Sequence, residues 1–326
     1  MNSDVIYSDK TNGYSLRGLS RLSSDLGHEI LNALKNPNID EIMLNCNGYL
    51  FAETKTEGMI KIGEFDTVKG AAIIRTIGSL LNKEINAQSP ILSGEIPENG
   101  SRFEGLLPPL VKAPIFSIRK HNALSLPLTE MIAKKMLTGE QADFLKEAII
   151  KKRTIVISGR TGCGKTTLVN ALLNELSKVC PHDRVLSIED TPELNVTLQN
   201  KVALYTNDAT DMGQLLRSSL RLRPDRIIVG EVRSAEALDL IDAFSTGHNG
   251  GFTTVHAGNI EQALKRLCLL ISRHRQAPRL IEPTLCEALD IVIQLRRTPY
   301  RHITEIAEVK GFKDNSFILN KLFNNK

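Results

Sequence analysis

The sequence lacks the cysteine spacing of a disulfide-bonded or zinc-binding protein. Its five cysteines are odd in number and scattered along the chain, and no two of them form a CxxC pair. These features argue against a disulfide framework and against a structural zinc site. They indicate a protein of a reducing compartment.

Long apolar runs and basic runs are also missing. The N-terminus is polar, and apolar stretches such as residues 288–295 are far shorter than the roughly 20 residues of a membrane span. The net charge is only +4, without a basic run that carries interleaved aromatic residues. Direct sequence-specific nucleic-acid binding is therefore not expected. We expect a cytoplasmic protein whose association with a membrane is peripheral or through partners.

The length and composition are those of a two-domain globular protein. The chain has 326 residues, of which 41% are hydrophobic and 24% charged, and domains usually hold about 100–200 residues. Hydrophobic periodicity predicts helices and strands, while proline and glycine dominate residues 89–105, where no strand is predicted. Predicted helices span 18–34, 67–81, 129–136 and 139–151, and predicted strands span 41–45, 48–52 and 115–119. Predicted segments are a flexible tail (1–17), an α+β domain (18–120), a linker (121–138) and a second domain (139–326).

A glycine-rich loop gives the strongest functional signal. The sequence GRTGCGKT follows an unbroken apolar strand at 154–158 and precedes a helical run at 168–176, which is the setting of the phosphate-binding pattern G-x-x-x-x-G-K-[ST]. Its backbone N–H groups can surround one phosphate at the positive end of the helix. Lys165 is predicted to reach the β- and γ-phosphates and Thr166 to bind Mg²⁺. Predicted nucleotide-binding residues are Gly159, Arg160, Thr161, Gly162, Cys163, Gly164, Lys165, Thr166 and Thr167.

Two further apolar strands end in acidic residues. Strand 184–188 leads to Glu189 and Asp190, and strand 226–229 leads through Gly230 to Glu231. Parallel strands gather ligands at their carboxyl ends, so these acids are expected near the loop. Glu231 is predicted to organise Mg²⁺ with Thr166, and Glu189 to polarise the attacking water. The alternative is that both acids are surface residues at strand ends.

Two histidines flank a double glycine and a short β-branched strand. No third ligand stands at a suitable spacing from His248 and His256, so a metal site is not predicted here. His256, at a strand end, is predicted to hydrogen-bond the γ-phosphate and to report hydrolysis. His248 is equally well explained as a hydrogen-bonded structural residue.

Together these motifs resemble the GspE/PilT secretion-ATPase superfamily. The glycine-rich loop, EDTPE (189–193), PDRIIVGEVR (224–233) and the histidine segment (246–256) stand in the order of its Walker A, Asp, Walker B and His boxes. GSRFEGLLPP (100–109) and SIRK (117–120) look most like the TrbB branch, the ATPases of conjugative type IV secretion. The resemblance runs from about residue 29 to 311. It implies an α/β fold, with a RecA-like P-loop NTPase C-terminal domain and a smaller α+β N-terminal domain.

The resemblance also implies an activity. It is that of a Mg²⁺-dependent ATPase that forms homohexamers at the cytoplasmic face of the inner membrane, works with inner-membrane channel components and powers type IV secretion or conjugative transfer. Arg102 and Arg119 match positions from which N-terminal arginines approach the phosphates; the alternative for each is a surface ion pair. Cys163 suggests a further hypothesis, that thiol reagents inhibit the enzyme.

Two other functions stay open at this point. One is a type II secretion or type IV pilus extension/retraction ATPase, and another is a DNA-translocating RecA-like motor. A non-enzymatic scaffold is disfavoured, because the sequence carries every catalytic group that the motifs require.

Overall fold

The computed structural model describes residues 16–97, 99–120, 126–207 and 209–324. The chain forms two compact units, residues 1–122 and 123–326. The predicted tail lies outside the described residues except for residues 16 and 17, which begin the first helix. The linker residues 121–125 also lie outside them. The bounds of the four predicted segments remain predictions.

The first unit is a six-stranded antiparallel sheet with two helices, in the strand order β3-β2-β1-β6-β5-β4. Its core joins Leu22 and Ile30 of the first helix to Ile73 and Ile77 of the second and to Ile42 of the sheet. This is the predicted smaller α+β domain. Its elements are α1 (Leu16–Lys35), β1 (Ile39–Leu44), β2 (Tyr49–Thr54), β3 (Gly58–Glu64), α2 (Thr67–Leu80), β4 (Ile91–Glu95), β5 (Arg102–Leu106) and β6 (Ile115–Arg119).

Glycine misled the prediction in two places of this unit. Strands β4 and β5 fill much of the stretch where no strand was predicted, and they pair with each other. A Cβ atom on Gly105 would lie 2.9 Å from Cγ1 of Ile74, so this glycine permits close helix packing and is not a turn signal. In α1, Gly27 has a φ of 64° and interrupts the helix that was predicted as continuous.

The second unit is built on an eight-stranded sheet with helices on both faces. The strand order is β14-β13-β12-β7-β11-β10-β8-β9; β12 to β9 in that order are parallel, and β13 and β14 are antiparallel. The elements are α3 (Leu128–Ala133), α4 (Gly139–Ile150), β7 (Ile155–Gly159), α5 (Lys165–Val179), β8 (Val185–Glu189), β9 (Lys201–Tyr205), α6 (Met212–Ser219), a 3-10 turn (Leu220–Leu222), β10 (Arg226–Val229), α7 (Ala237–Ser245), β11 (Phe252–Val255), α8 (Ile260–Ile271), α9 (Ile281–Ala288), β12 (Ile291–Arg296), β13 (His302–Lys313) and β14 (Ser316–Asn324).

The order of the parallel strands confirms the predicted RecA-like fold. Strand β11 lies between β7, which leads into the glycine-rich loop, and β10, which leads to Glu231. Successive side chains of β7 belong to two different cores: Ile155 and Ile157 lie in the cluster that contains Leu172 of α5, and Val156 lies in the cluster that contains Leu264 of α8. A strand covered on both faces reads as a continuous apolar run, which is why this strand could be recognised in the sequence.

The carboxyl ends and the amino ends of the parallel strands form two opposite edges of this sheet, and different polar residues lie at each. Strands β7, β8, β10 and β11 are parallel, so the segments that follow them gather at one edge. At the opposite edge, the fully buried Arg226 binds Asp183 through Nε at 2.6 Å and donates to the carbonyl oxygens of Ile149 and Gly250. These partners compensate the buried charge of Arg226, so removal of Asp183 would leave that charge unpaired. No helix among the described residues is long and apolar enough to cross a membrane.

Candidate nucleotide site

The glycine-rich loop joins β7 to α5 and takes a conformation that needs its glycines. Gly162 and Gly164 have φ angles of 72° and 98°, a region that residues with a side chain rarely adopt. A Cβ atom on Gly159 would lie 2.9 Å from the carbonyl oxygen of Leu295. Helix α5 starts at Lys165 directly after Gly164. The loop therefore presents the amino end of a helix at its centre, as phosphate binding requires.

The ammonium group of Lys165 lies inside this loop. Its side chain is buried, and Nζ donates to the carbonyl oxygens of Gly159 at 3.1 Å and Arg160 at 3.4 Å. A buried charge needs such acceptors. The third contact of Nζ is to Nδ1 of His256 at 3.2 Å, so the structure brings two of the predicted catalytic residues together.

His256 connects Lys165 to Glu231. Its Nε2 lies 3.0 Å from Oε1 of Glu231. The ammonium of Lys165 can only donate, so Nδ1 accepts and Nε2 carries the hydrogen that Glu231 accepts. Burial, followed by the charge of Lys165, lowers the pKa of His256 more than Glu231 raises it. The imidazole is therefore neutral at pH 7 and bridges a cation and an anion.

Glu231 is held as a carboxylate. Burial acts to raise its pKa, but the hydrogen bond and charge of Arg233, with His256 and Lys165, outweigh burial and lower the pKa. The Nη2 atom of Arg233 lies 2.9 Å from Oε2 of Glu231, and its Nη1 lies 3.4 Å from Oδ2 of Asp190. A polar chain thus runs from the loop lysine to an exposed arginine.

Glu189 is buried at the end of β8 and orders the turn that follows. Its Oε1 accepts hydrogen bonds from the backbone N–H groups of Glu193 and Leu194, both at 2.9 Å. Gly230 lies against it, since a Cβ atom at that position would be 3.2 Å from Cγ of Glu189. Glu189 therefore lies at the edge of the sheet where it was predicted, and its hydrogen bonds also order the backbone of the following turn.

The Thr166 hydroxyl contacts a residue that carried no role in the sequence-based prediction. It donates to Oε2 of Glu193 at 2.9 Å, while Asn170 of α5 donates to the Glu193 carbonyl at 3.0 Å. The carboxylate of Glu231 faces His256 and Arg233 instead. Oxygen atoms of this kind are the donors that Mg²⁺ prefers. The oxygen atoms of Thr166 and Glu193 fit that ion. The part of Glu231 in holding it stays a prediction.

Two more arginines that sequence reasoning missed lie against the loop. They belong to the segment between β12 and β13: Nε of Arg301 donates to the carbonyl oxygen of Gly162 at 3.0 Å, and Nη1 of Arg297 lies 3.3 Å from a Cβ atom built on Gly162. The signal that could have found them is the strand order, because a RecA-like sheet places β12 beside β7.

The predicted arginines of the first unit stand next to each other. Arg102 and Arg119 are directly opposite partners in the antiparallel pairing of β5 and β6. Opposite partners point to the same face of a sheet. Arg119 is exposed. The unit therefore presents a pair of cations on one face of its sheet.

The structure argues against the hypothesis of thiol sensitivity at Cys163. The Cys163 side chain is fully buried. Burial raises the pKa of its thiol, and Lys165 and Arg301 offset that rise only in part. A protonated, inaccessible thiol is a poor target for alkylating reagents.

Comparison with known proteins places this site in a family. The profile of the family described as "Type II/IV secretion system protein" matches residues 91–319. The chain is 40% identical to "Conjugal transfer protein TrbB" from Rhizobium radiobacter, over 92% of this chain and 93% of that protein. It is 31% identical to "Type IV secretion system protein VirB11" from Brucella suis biovar 1, over 84% and 86%.

A solved structure agrees with the fold. The ATPase DotB from Legionella pneumophila superposes with a TM-score of 0.61 at 20% identity, covering 87% of this chain and 80% of that one. The matched family profile spans both units and includes the glycine-rich loop, Glu189, Glu231 and His256. The chain belongs to the family of type II/IV secretion system proteins.

Proposed function

We propose that this chain is a Mg²⁺-dependent ATPase that powers type IV secretion, in the manner of a conjugative transfer system. The observation that carries the proposal is the chain of contacts from Lys165 through His256 to Glu231. It links the group that binds phosphate to an acid that can serve the metal. The similarity to "Conjugal transfer protein TrbB" over 92% of the chain supports the choice of system.

In the proposed reaction, the loop N–H groups and Lys165 bind the phosphates of ATP. Mg²⁺, when bound, supplies charge neutralisation between the β- and γ-phosphates. Thr166 and Glu231 would hold that ion, and the contact with Thr166 adds Glu193 to the candidates. Glu189 is the residue proposed to polarise the attacking water, by accepting a hydrogen bond from it. Two backbone N–H groups fix the orientation of its carboxylate.

His256 is the proposed sensor of the γ-phosphate. Its neutral imidazole accepts from Lys165 and donates to Glu231. A bound γ-phosphate would compete for the same ammonium group, because phosphate oxygens are strong acceptors. The presence of ATP would then change the contacts of Glu231, and through Glu231 those of Arg233.

The proposed working form is a homohexamer at the cytoplasmic face of the inner membrane, bound to the inner-membrane components of a secretion channel. The relatives named for conjugal transfer and type IV secretion support this setting. Arg102 and Arg119 are the proposed cations of the first unit that act on the bound nucleotide. Their position on one face of the sheet supports a joint role.

Substitution of Lys165 tests the proposed site. Lys165→Ala removes the ammonium group from the loop, so ATP hydrolysis is expected to fall at least about 100-fold. Glu231→Gln should retain bound ATP while hydrolysis is lost, and a filter-binding assay with labelled ATP measures that retention. Lys178→Ala, on the exposed part of the same helix, is the matched control and should hydrolyse ATP as the wild type does. Wild-type turnover in Lys165→Ala would overturn the site.

A further inference from the structure

The segment that connects β12 to β13 begins beside the glycine-rich loop. Strand β12 pairs in parallel with β7, and Leu295 is the partner of Gly159. Residues 297–301 therefore leave the sheet at the edge where the phosphates of a nucleotide would lie. This connection carries two guanidinium groups, those of Arg297 and Arg301.

Arg301 is hydrogen-bonded to one peptide group of the loop. Its Nε donates to the carbonyl oxygen of Gly162 at 3.0 Å, although the two residues are 139 positions apart in the sequence. The carbonyl and the N–H of a trans peptide point in opposite directions. A hydrogen bond that holds the Gly162 carbonyl outward therefore directs the N–H of Cys163 into the loop.

The N–H of Cys163 also has a partner within the loop. It donates to the carbonyl oxygen of Arg160, three residues earlier, at 3.4 Å, a long hydrogen bond that closes a turn of the loop. A phosphate oxygen is a stronger acceptor for such a donor than a carbonyl at that distance.

Arg297 also lies close to Gly162. A side chain at position 162 would press against its guanidinium, because a Cβ atom there would lie 3.3 Å from Nη1. Two cations thus stand at the peptide that follows Gly162, on the outside of the loop. Both side chains are cationic, so their field favours an anion inside the loop.

We propose that Arg301 is a positioning residue of the nucleotide site: it fixes the Gly162–Cys163 peptide with its N–H directed at the β-phosphate, and Arg297 adds positive charge at the same peptide. The proposal rests on the ATPase function proposed above. It assigns to the connection between β12 and β13 a part in nucleotide affinity that the glycine-rich loop pattern does not contain.

The test compares Arg301→Ala with Arg301→Lys and with Arg296→Ala. Arg296 ends β12 and is exposed, so it gives the matched control for the loss of one arginine next to this connection. We expect Arg301→Ala to raise the Kd of a fluorescent Mg·ADP analogue and the KM for ATP by about 5- to 20-fold. Its kcat should stay within about threefold of the wild type, because a hydrogen bond to the β-phosphate is made in the ground state and the transition state alike. Arg301→Lys should recover most of the affinity.

Several results would overturn the proposal. They are a wild-type Kd in Arg301→Ala, an equal loss in Arg296→Ala, or a loss of kcat at unchanged KM. If Arg301→Ala does not fold, Arg297→Ala takes its place, and an unchanged Kd in that variant also counts against the proposal. A wild-type protein that does not hydrolyse ATP, or a Lys165→Ala variant that still does, would instead contradict the proposed function.

Discussion

The Cys163 thiol illustrates how surroundings decide the chemistry of one residue. It lies beside Lys165 in the loop, a neighbour that would ordinarily make a thiol more acidic. Burial raises its pKa and dominates over that charge. Its side chain is also inaccessible, and a Cβ atom on Gly159 would collide with the sulfur atom.

Alkylation kinetics test this view of Cys163. In the folded protein without nucleotide, Cys163 should react with iodoacetamide at least about tenfold more slowly than the exposed Cys46, because the reactive species is an accessible thiolate. Peptide mass spectrometry over a time course measures both rates in one sample. Equal rates would show that the loop opens readily in solution, and denatured protein provides the control for intrinsic reactivity.

Single residues were predictable where a motif fixes the chemistry, and not where folding brings distant residues together. Lys165 follows from the loop pattern and Glu231 from its place after a strand. Glu193 and Arg301 do not, because their partners Thr166 and Gly162 are 27 and 139 positions away. The spacing of a motif is local, whereas these contacts depend on the order of strands in the sheet.

At the scale of elements, the carboxylate of Glu308 links the two antiparallel strands β13 and β14. Glu308 of β13 accepts from Lys310 at 2.8 Å and from Asn320 of β14 at 3.0 Å, and Arg153 donates to its other oxygen at 3.1 Å. Hydrogen bonds from Lys310 and Asn320 lower the pKa of Glu308 to about 2. The carboxylate therefore stays charged in the folded protein at pH values where it is protonated in the unfolded chain.

This depressed pKa predicts a pH-dependent contribution to stability. The unfolded value is about 4.3, so the stabilisation is complete above that pH and is lost as the pH falls toward 2. Glu308→Gln should lower the free energy of unfolding at pH 7, and its difference from the wild type should shrink at pH 3.5. Urea unfolding at both pH values measures the difference. Glu287→Gln, on an exposed side chain of α9, should show little change, and a pH-independent effect of Glu308→Gln would contradict the assignment.

Elements were easiest to predict where both faces of a strand are apolar. Strands β7 and β10 are continuous buried runs, and their extents agree with the sequence-based prediction to within a residue. Strand β5 has Phe103 and Gly105 as its buried residues, and the glycine is there because Ile74 of α2 leaves no space for a side chain. A glycine selected by packing looks the same in a sequence as a glycine selected by a turn.

At the scale of the whole molecule, the sequence predicted a RecA-like unit and a smaller α+β unit, and the strand order of the second unit confirmed the RecA-like topology. The order of four motifs along the chain predicted the family, because each motif alone is common and the series is not. Cooperation between the two units could not be predicted in the same way, because a motif in one unit does not indicate which residues of the other unit act with it. The role of Arg119 is therefore a prediction about the molecule as a whole.

Arg119→Ala tests that role. If the first unit supplies charge to the transition state, the variant should bind a fluorescent Mg·ADP analogue with unchanged Kd and hydrolyse ATP at least about tenfold more slowly. Arg102→Ala should act in the same direction, because the two residues are opposite partners. Arg75→Ala, on an exposed position of α2, serves as the control. Full activity in Arg119→Ala would contradict the proposed role of Arg119 in hydrolysis.

The contact of Gly230 with Glu189 sets a limit on how this kind of site can change. A side chain at position 230 would enter the volume that holds Glu189, because even its first carbon would lie 3.2 Å from Cγ of that acid. The two strand ends are therefore tightly packed against each other at this point. A side chain gained at 230 would require Glu189 to shift by a few tenths of an ångström, so a substitution at 230 would also change the position of the acid at 189.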